Sequence, residues 1–186
     1  MNIQSALKQG YTILKNNNIS TANLDSEILM SYVIKKDKKY IILNHNQELR
    51  PKNICSFKEL INQRANGKPI AYLMGKKEFW NHEFIITNDV LIPRPETELI
   101  VEQVLKISKN KSKLKFLEIG VGSGCIILSI LREKKDFQGI GIDINKKCID
   151  VSKSNAFKLG VSNRVKFYKS DIDNFDKGKY DLIISN

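Results

Sequence analysis

Hydrophobic positions recur with a helical period over the first third of the chain, and as alternating or continuous runs over the rest. Ile3, Ala6, Leu7, Ile13 and Leu14 fall roughly on one face of a first helix, which Asn16–Asn18 ends. Leu24, Ile28, Leu29, Tyr32 and Val33 form a second stripe, with Thr21 or Asn23 as its cap. Tyr40–Leu43 suggests a short third helix. A fourth runs from about Lys52 to Asn66, carrying Ile54, Phe57, Ile61 and Arg64, with Gly67 and Pro69 as stop signals. Stripes of this kind predict a small helical domain over residues 1–74.

The pattern changes after Pro69. Lys77–Trp80, Asn81-His82 and Glu83–Thr87 read as a β-hairpin with a polar turn. The hairpin leads into Leu91-Ile-Pro-Arg-Pro-Glu-Thr-Glu98, where prolines on both sides of Arg94 predict a stiff, extended loop. Residues 75–95 are thus expected to form a hairpin and linker. Glu96 and Glu98 start a helix whose apolar face carries Ile100, Val104 and Ile107.

From Lys113 the chain reads as strand, glycine turn, helix and a second strand ending at Asp143. Asn145 caps a further helix to Leu159, with Gly160 just past its end. Val165–Ser170 alternates as a strand before Asp171, and Tyr180–Ser185 is a continuous apolar run of the kind that fills a buried parallel strand. Residues 96–186 therefore predict an α/β, Rossmann-like domain, preceded by the helical domain and the hairpin.

The glycine turn is where the chemistry concentrates. Gly120, Gly122 and Gly124 let the backbone approach a ligand closely, and the helix that follows offers unpaired N–H groups. Asp143 stands about 20 residues beyond them, the spacing of a carboxylate that hydrogen-bonds a ribose. The pair predicts an adenosine-containing cofactor. A dinucleotide fingerprint places Gly or Ala at the position held here by Cys125. Glu118, just before the turn, suits a cationic amino-acid moiety better than a pyrophosphate. S-adenosylmethionine, with a ribose, an α-ammonium and a sulfonium, fits both features. Asp171, Ile172 and Asn186 are expected on the same carboxyl-terminal edge of the sheet.

Composition adds bounds. The formal charge is +11, from 31 basic and 20 acidic residues. It reads as a lysine-biased, solvated surface, with an acidic partner as the functional alternative. No apolar run approaches the ~20 residues of a membrane span, and the N-terminus lacks a secretory pattern, so a cytoplasmic protein is expected. Cys55, Cys125 and Cys148 show neither metal spacing nor a disulfide framework. His45 and His82 stand alone as structural or surface residues, and no metal is expected. The helix field at Cys125 would lower its thiol pKa, although a small residue packed against the strand is the plainer reading.

Three motifs carry a family resemblance. Arg64-Ala-Asn-Gly-Lys-Pro-Ile-Ala-Tyr-Leu-Met-Gly75, Glu78-Phe79 and Leu91–Glu98 closely resemble the PrmC/HemK family, the methyltransferases that modify a glutamine of peptide-chain release factors. The glycine turn, Asp143, Ser170-Asp171 and Tyr180–Asn186 follow in that family's order. The resemblance implies that Gly120, Val121, Gly122, Ser123 and Gly124 line the methionine part of S-adenosylmethionine. It implies that Asp143 holds the ribose and that Asp171 and Ile172 flank the adenine. Asn186 matches the first residue of the family's Asn-Pro-Pro-Tyr motif, whose asparagine accepts from the substrate amide. The helical region would help engage the release factor, and a monomer without direct nucleic-acid binding is expected. Two other readings share these residues: an amino-methyltransferase acting on adenine in nucleic acid, and an inactive module that holds a release factor or ribosome. Because the sequence stops at Asn186, Tyr180–Ser185 is expected to become an edge strand with an uncovered apolar face. On that expectation the 186-residue chain has little methyl-transfer activity and is poorly soluble.

Overall fold

A computed structural model describes residues 1–186. The chain divides into two compact units, Met1–Met74 and Gly75–Asn186.

The first unit is helical. Its helices are α1 (Ile3–Asn16), α2 (Ala22–Ile34), α3 (Lys38–Leu43), α4 (Pro51–Ala65) and α5 (Ile70–Met74). The Asn2 side chain caps α1 by accepting from Ser5 N at 2.9 Å, and Asp37 caps α3 by accepting from Tyr40 N at 2.8 Å. Pro51 opens α4, where its missing N–H has no intrahelical partner to lose. Ile3, Leu14, Leu29, Met30, Phe57 and Ile61 form the centre of the core. The phase of α2 differs from the stripe expected of it. Leu24 and Tyr32 are exposed, and the inward face is Ala22, Asp25, Ser26, Leu29 and Met30. An ion pair explains the rotation: Arg64 Nε of α4 donates to Asp25 Oδ2 at 2.7 Å, and Thr21 Oγ1 donates to the same oxygen at 2.8 Å. Ser26 Oγ is satisfied by Ala22 O at 2.8 Å. Helix α5 follows directly on Pro69, which stands just before its first residue as well as past the end of α4.

The second unit begins with a hairpin of β1 (Lys76–Phe79) and β2 (His82–Ile85), paired antiparallel. Its turn is Trp80-Asn81, one residue earlier than the expected Asn81-His82. Both residues have positive φ (49° and 57°), the geometry of a two-residue turn that matches strand twist. A bulky residue rarely adopts that φ. Trp80 is held there because its N donates to Glu98 Oε1 at 2.7 Å and its Nε1 to Glu133 Oε1 at 2.9 Å. After a 3-10 turn at Pro95–Thr97 comes α6 (Glu98–Ile107), which buries Val101 and Val104 and leaves Ile107 exposed, contrary to the expected face.

The remaining elements alternate: β3 (Leu114–Ile119), α7 (Cys125–Glu133), β4 (Phe137–Asp143), α8 (Lys146–Lys158), β5 (Val165–Lys169) and β6 (Leu182–Ser185). The four strands are parallel in the order β5-β4-β3-β6. Successive strands step outward from β3 to β5, and β6 then returns to the other side of β3. That reversal places a crevice at the carboxyl ends of β3 and β6. On one face Leu117, Ile140 and Ile142 pack with Tyr168, Phe175 and Tyr180. On the other, two glycines of β4 admit close neighbours. A Cβ at Gly139 would lie 2.7 Å from Ile127 Cδ1, and one at Gly141 2.8 Å from Val121 Cγ2. Strand β6 is an edge: Ile184 is buried, but Ile183 is 59 % exposed, so the strand is not buried on both faces.

Candidate functional site

The carboxyl-terminal edge of this sheet is built around the turn between β3 and α7. Gly120, Gly122 and Gly124 have φ of 73°, 53° and 80°, the left-handed region that a side chain disfavours. The turn is closed by backbone bonds: Gly120 N and Val121 N both donate to Ile142 O at 2.9 Å, and Gly124 N to Val121 O at 2.8 Å. A Cβ at Gly120 would meet no atom within 4 Å. Packing therefore does not demand glycine there; the backbone conformation does, and it leaves the turn open to close approach.

Asp143 ends β4 beside the turn and has two structural duties. Its Oδ2 accepts from Gly122 N at 3.0 Å and its Oδ1 from Asn145 N at 2.9 Å. A carboxylate has about four lone-pair sites, so capacity remains for two ligand hydroxyls. Asn145 in turn caps α8 by accepting from Lys147 N at 3.0 Å. Asp171 and Ile172 are exposed after β5; Ser170 N donates to Asp143 O at 3.0 Å, which draws this segment toward Asp143. Asn186 follows β6. The register Ile119↔Ser185 sets it level with Gly120, and its Nδ2 donates to Thr97 Oγ1 at 3.3 Å. Gly120, Gly122, Asp143, Asp171, Ile172 and Asn186 thus share one edge. Val121 is buried toward Gly141, so its side chain packs into the domain.

Burial shapes the electrostatics behind the turn. Glu118 is 2 % exposed, and its Oε2 accepts from Ile127 N at 2.9 Å in the first turn of α7. Loss of hydration raises its pKa to about 8, opposed by the Ile127 N–H and assisted by the charge of Asp143. The proton is held more tightly in the folded than in the unfolded chain. Stability should therefore fall as pH rises from about 5 to 8, with no further loss from this group above that. Urea melts across this range should show the decline, and Glu118→Gln should flatten it. An unchanged slope in the variant would remove Glu118 as the cause.

Cys125 is the buried small residue that the plainer reading expects, and the lowered thiol pKa is the alternative that the structure corrects. Burial, then the adjacent Glu118, push its thiol up to about 12, overriding the helix field that would lower it. Cys148 rises to about 11, through burial and then Asp143. Cys55 is exposed. At about pH 8 iodoacetamide should label Cys55 in the native protein and spare the other two, since the thiolate is the nucleophile. Rapid native labelling of Cys125, read by mass spectrometry, would contradict the burial argument.

Two residues of α8 that the sequence did not mark hold the turn from below. Ser152 Oγ donates to Gly122 O at 2.8 Å, and Asn155 Nδ2 to Ser123 O at 2.9 Å. Both are fully buried, where an amphipathic reading expects apolar residues. A single sequence carries no signal that would have found them.

Residues 5–75 match the family model described as the PrmC N-terminal domain, and residues 110–186 match a methyltransferase domain. The whole chain is 40 % identical over 190 residues to a release factor glutamine methyltransferase of Buchnera aphidicola subsp. Baizongia pistaciae, and 37 % identical over 189 residues to one of Clostridium acetobutylicum. The chain belongs to the PrmC/HemK family. It spans 66 % of the length of each of these two relatives. A bifunctional methyltransferase of Rickettsia felis is 34 % identical over 99 % of the chain, which covers 40 % of that protein. In this family member the second unit is a methyltransferase domain of α/β, Rossmann-like fold.

The residues present fit S-adenosylmethionine. The glycine turn offers open backbone, Asp143 keeps free acceptor sites, and the buried Ser123 hydroxyl has no hydrogen-bond partner of ordinary geometry.

Proposed function

We propose that this protein methylates the side-chain amide nitrogen of a glutamine in peptide-chain release factors, using S-adenosylmethionine. The observation that carries the reading is the level placement of Asn186 and the glycine turn across β3 and β6, in a chain similar along its whole length to release factor glutamine methyltransferases. Bound S-adenosylmethionine would supply an electrophilic methyl group on a sulfonium, with the neutral thioether as leaving group and the surplus proton of the amide nitrogen passing to solvent.

The chain's residues do the holding. Gly120–Gly124 border the methionine part with backbone, Asp143 accepts from the ribose hydroxyls, and Asp171 and Ile172 flank the adenine. Asn186 Oδ1 accepts an N–H of the substrate amide, whose nitrogen lone pair is otherwise delocalised into its carbonyl. Gripping the N–H orients that lone pair toward the methyl group, which is catalysis by positioning and preorganised dipoles. The residues in this site require no metal for such a step. The helical unit supplies contacts to the release factor. No helix is long and apolar enough to cross a membrane. We place the protein in the cytoplasm as a monomer acting on protein, without direct binding of nucleic acid.

The test compares this chain with a chimera that continues after Asn186 with the corresponding segment of the Clostridium acetobutylicum relative. Each is incubated with labelled S-adenosylmethionine and either a release factor or DNA. Label on one glutamine of the release factor is the expected result. Label on adenine, or none on protein from a chimera that binds the cofactor, overturns the reading.

A further inference from the structure

The outward edge of β2 carries a feature that the cofactor site does not account for. Ile85 is paired to β1 through the register Lys76↔Ile85, and its own N–H and C=O turn to a side chain. Ile85 N donates to Asn155 Oδ1 at 2.7 Å, and Asn155 Nδ2 donates back to Ile85 O at 3.0 Å. The side-chain amide thus makes the two bonds that a neighbouring strand would make, and closes the hairpin edge. The same Nδ2 donates its other hydrogen to Ser123 O, in the glycine turn, at 2.9 Å.

Asn155 is fully buried, and its two donor hydrogens and one acceptor position are all committed. Turning the amide over would set its oxygen against two carbonyl oxygens, so the orientation is fixed by its partners. No other residue type of that size offers two donors and an acceptor in one plane. Aspartate, nearly isosteric, would face two carbonyls with a carboxylate.

We propose that Asn155 is a positioning residue through which the β-hairpin holds the glycine turn in its cofactor-binding shape. The inference rests on the reading of that turn as the S-adenosylmethionine site. Ser123 lies between Gly122 and Gly124, two residues in the left-handed region, and a carbonyl there that loses its donor is free to rotate. The turn's geometry, and with it cofactor affinity, then depends on an anchor in the hairpin. Coupling of this kind is reciprocal: ordering the turn by ligand must also tighten the hairpin.

The experiment uses the 186-residue chain. S-adenosylmethionine is titrated calorimetrically into the wild type and Asn155→Ala, well below the melting temperature of each. Loss of one turn-fixing hydrogen bond predicts a Kd raised about tenfold in a variant that remains folded by circular dichroism. A residue that merely stabilises the fold would lower the melting temperature and leave Kd unchanged, and that outcome overturns the proposal. No binding by the wild type overturns the cofactor reading itself, which is a different failure. Should Asn155→Ala not fold, hydrogen exchange on the wild type decides. Saturating S-adenosylmethionine should slow exchange of the Ile85 amide, whose acceptor is Asn155. Unchanged exchange there, with slowed exchange at Gly122, overturns the proposal.

Discussion

Replacing Asn186 by alanine should lower methyl-transfer turnover about 10²–10³-fold, the usual cost of removing one preorganised hydrogen-bonding group from a transition state. Cofactor affinity should be unchanged. The two quantities separate because Asn186 is proposed to touch the substrate amide, and the turn and Asp143 are proposed to hold the cofactor. The geometry supports the separation. Asn186 donates through Nδ2 to Thr97 Oγ1 in the Pro-Arg-Pro-Glu-Thr-Glu segment, a bond that leaves its Oδ1 uncommitted. An amide so held presents an acceptor, the group a substrate N–H requires. The measurement pairs single-turnover methylation of a release factor with calorimetric titration of S-adenosylmethionine, both in the active chimera. Equal losses in rate and affinity would make Asn186 a structural residue of the crevice.

Local signals carried most of the prediction. The glycines were legible because positive φ is a property of the residue itself, and all three adopt it. The cap at Asn145 and the stop at Gly160 depend on neighbours within a few positions, and the structure places them as read. The alternation of strand and helix patterns from Lys113 onward gave the parallel α/β arrangement.

What escaped the sequence depends on partners far along the chain. The inward face of α2 is set by Asp25, a residue that hydropathy assigns to solvent, because Arg64 neutralises it from another helix. The hairpin turn falls on Trp80, a poor turn residue, because Glu98 and Glu133 take its two N–H groups. At Cys125 the helix field favours the thiolate, but burial and the adjacent Glu118 outweigh it. Ser152 and Asn155 carry no mark in the sequence, and their burial shows only where α8 packs beneath the turn. Asp25, Ser152 and Asn155 are polar groups buried because specific distant groups satisfy them, and no window of neighbouring residues records that.

Asp143→Ala should weaken S-adenosylmethionine binding by roughly 10- to 150-fold, the worth of about 1.5–3 kcal/mol for hydrogen bonds to a charged acceptor. The carboxylate acts twice. It is the proposed acceptor for the ribose hydroxyls, and it also holds Gly122 N and Asn145 N. Alanine removes both contributions and leaves two backbone N–H groups at the site without their acceptor. Asp143→Asn separates them. The amide oxygen can keep one backbone N–H, while its NH2 faces the other and cannot accept from it, so an intermediate affinity is expected. The melting temperature of both variants should fall, more for alanine. If Asp143→Asn binds the cofactor as weakly as Asp143→Ala while melting like the wild type, the charge of the carboxylate that accepts from the ribose is what matters and the loop contacts are secondary. If Asp143→Ala retains wild-type affinity, Asp143 only shapes the turn, and the ribose must be held by another group on this edge.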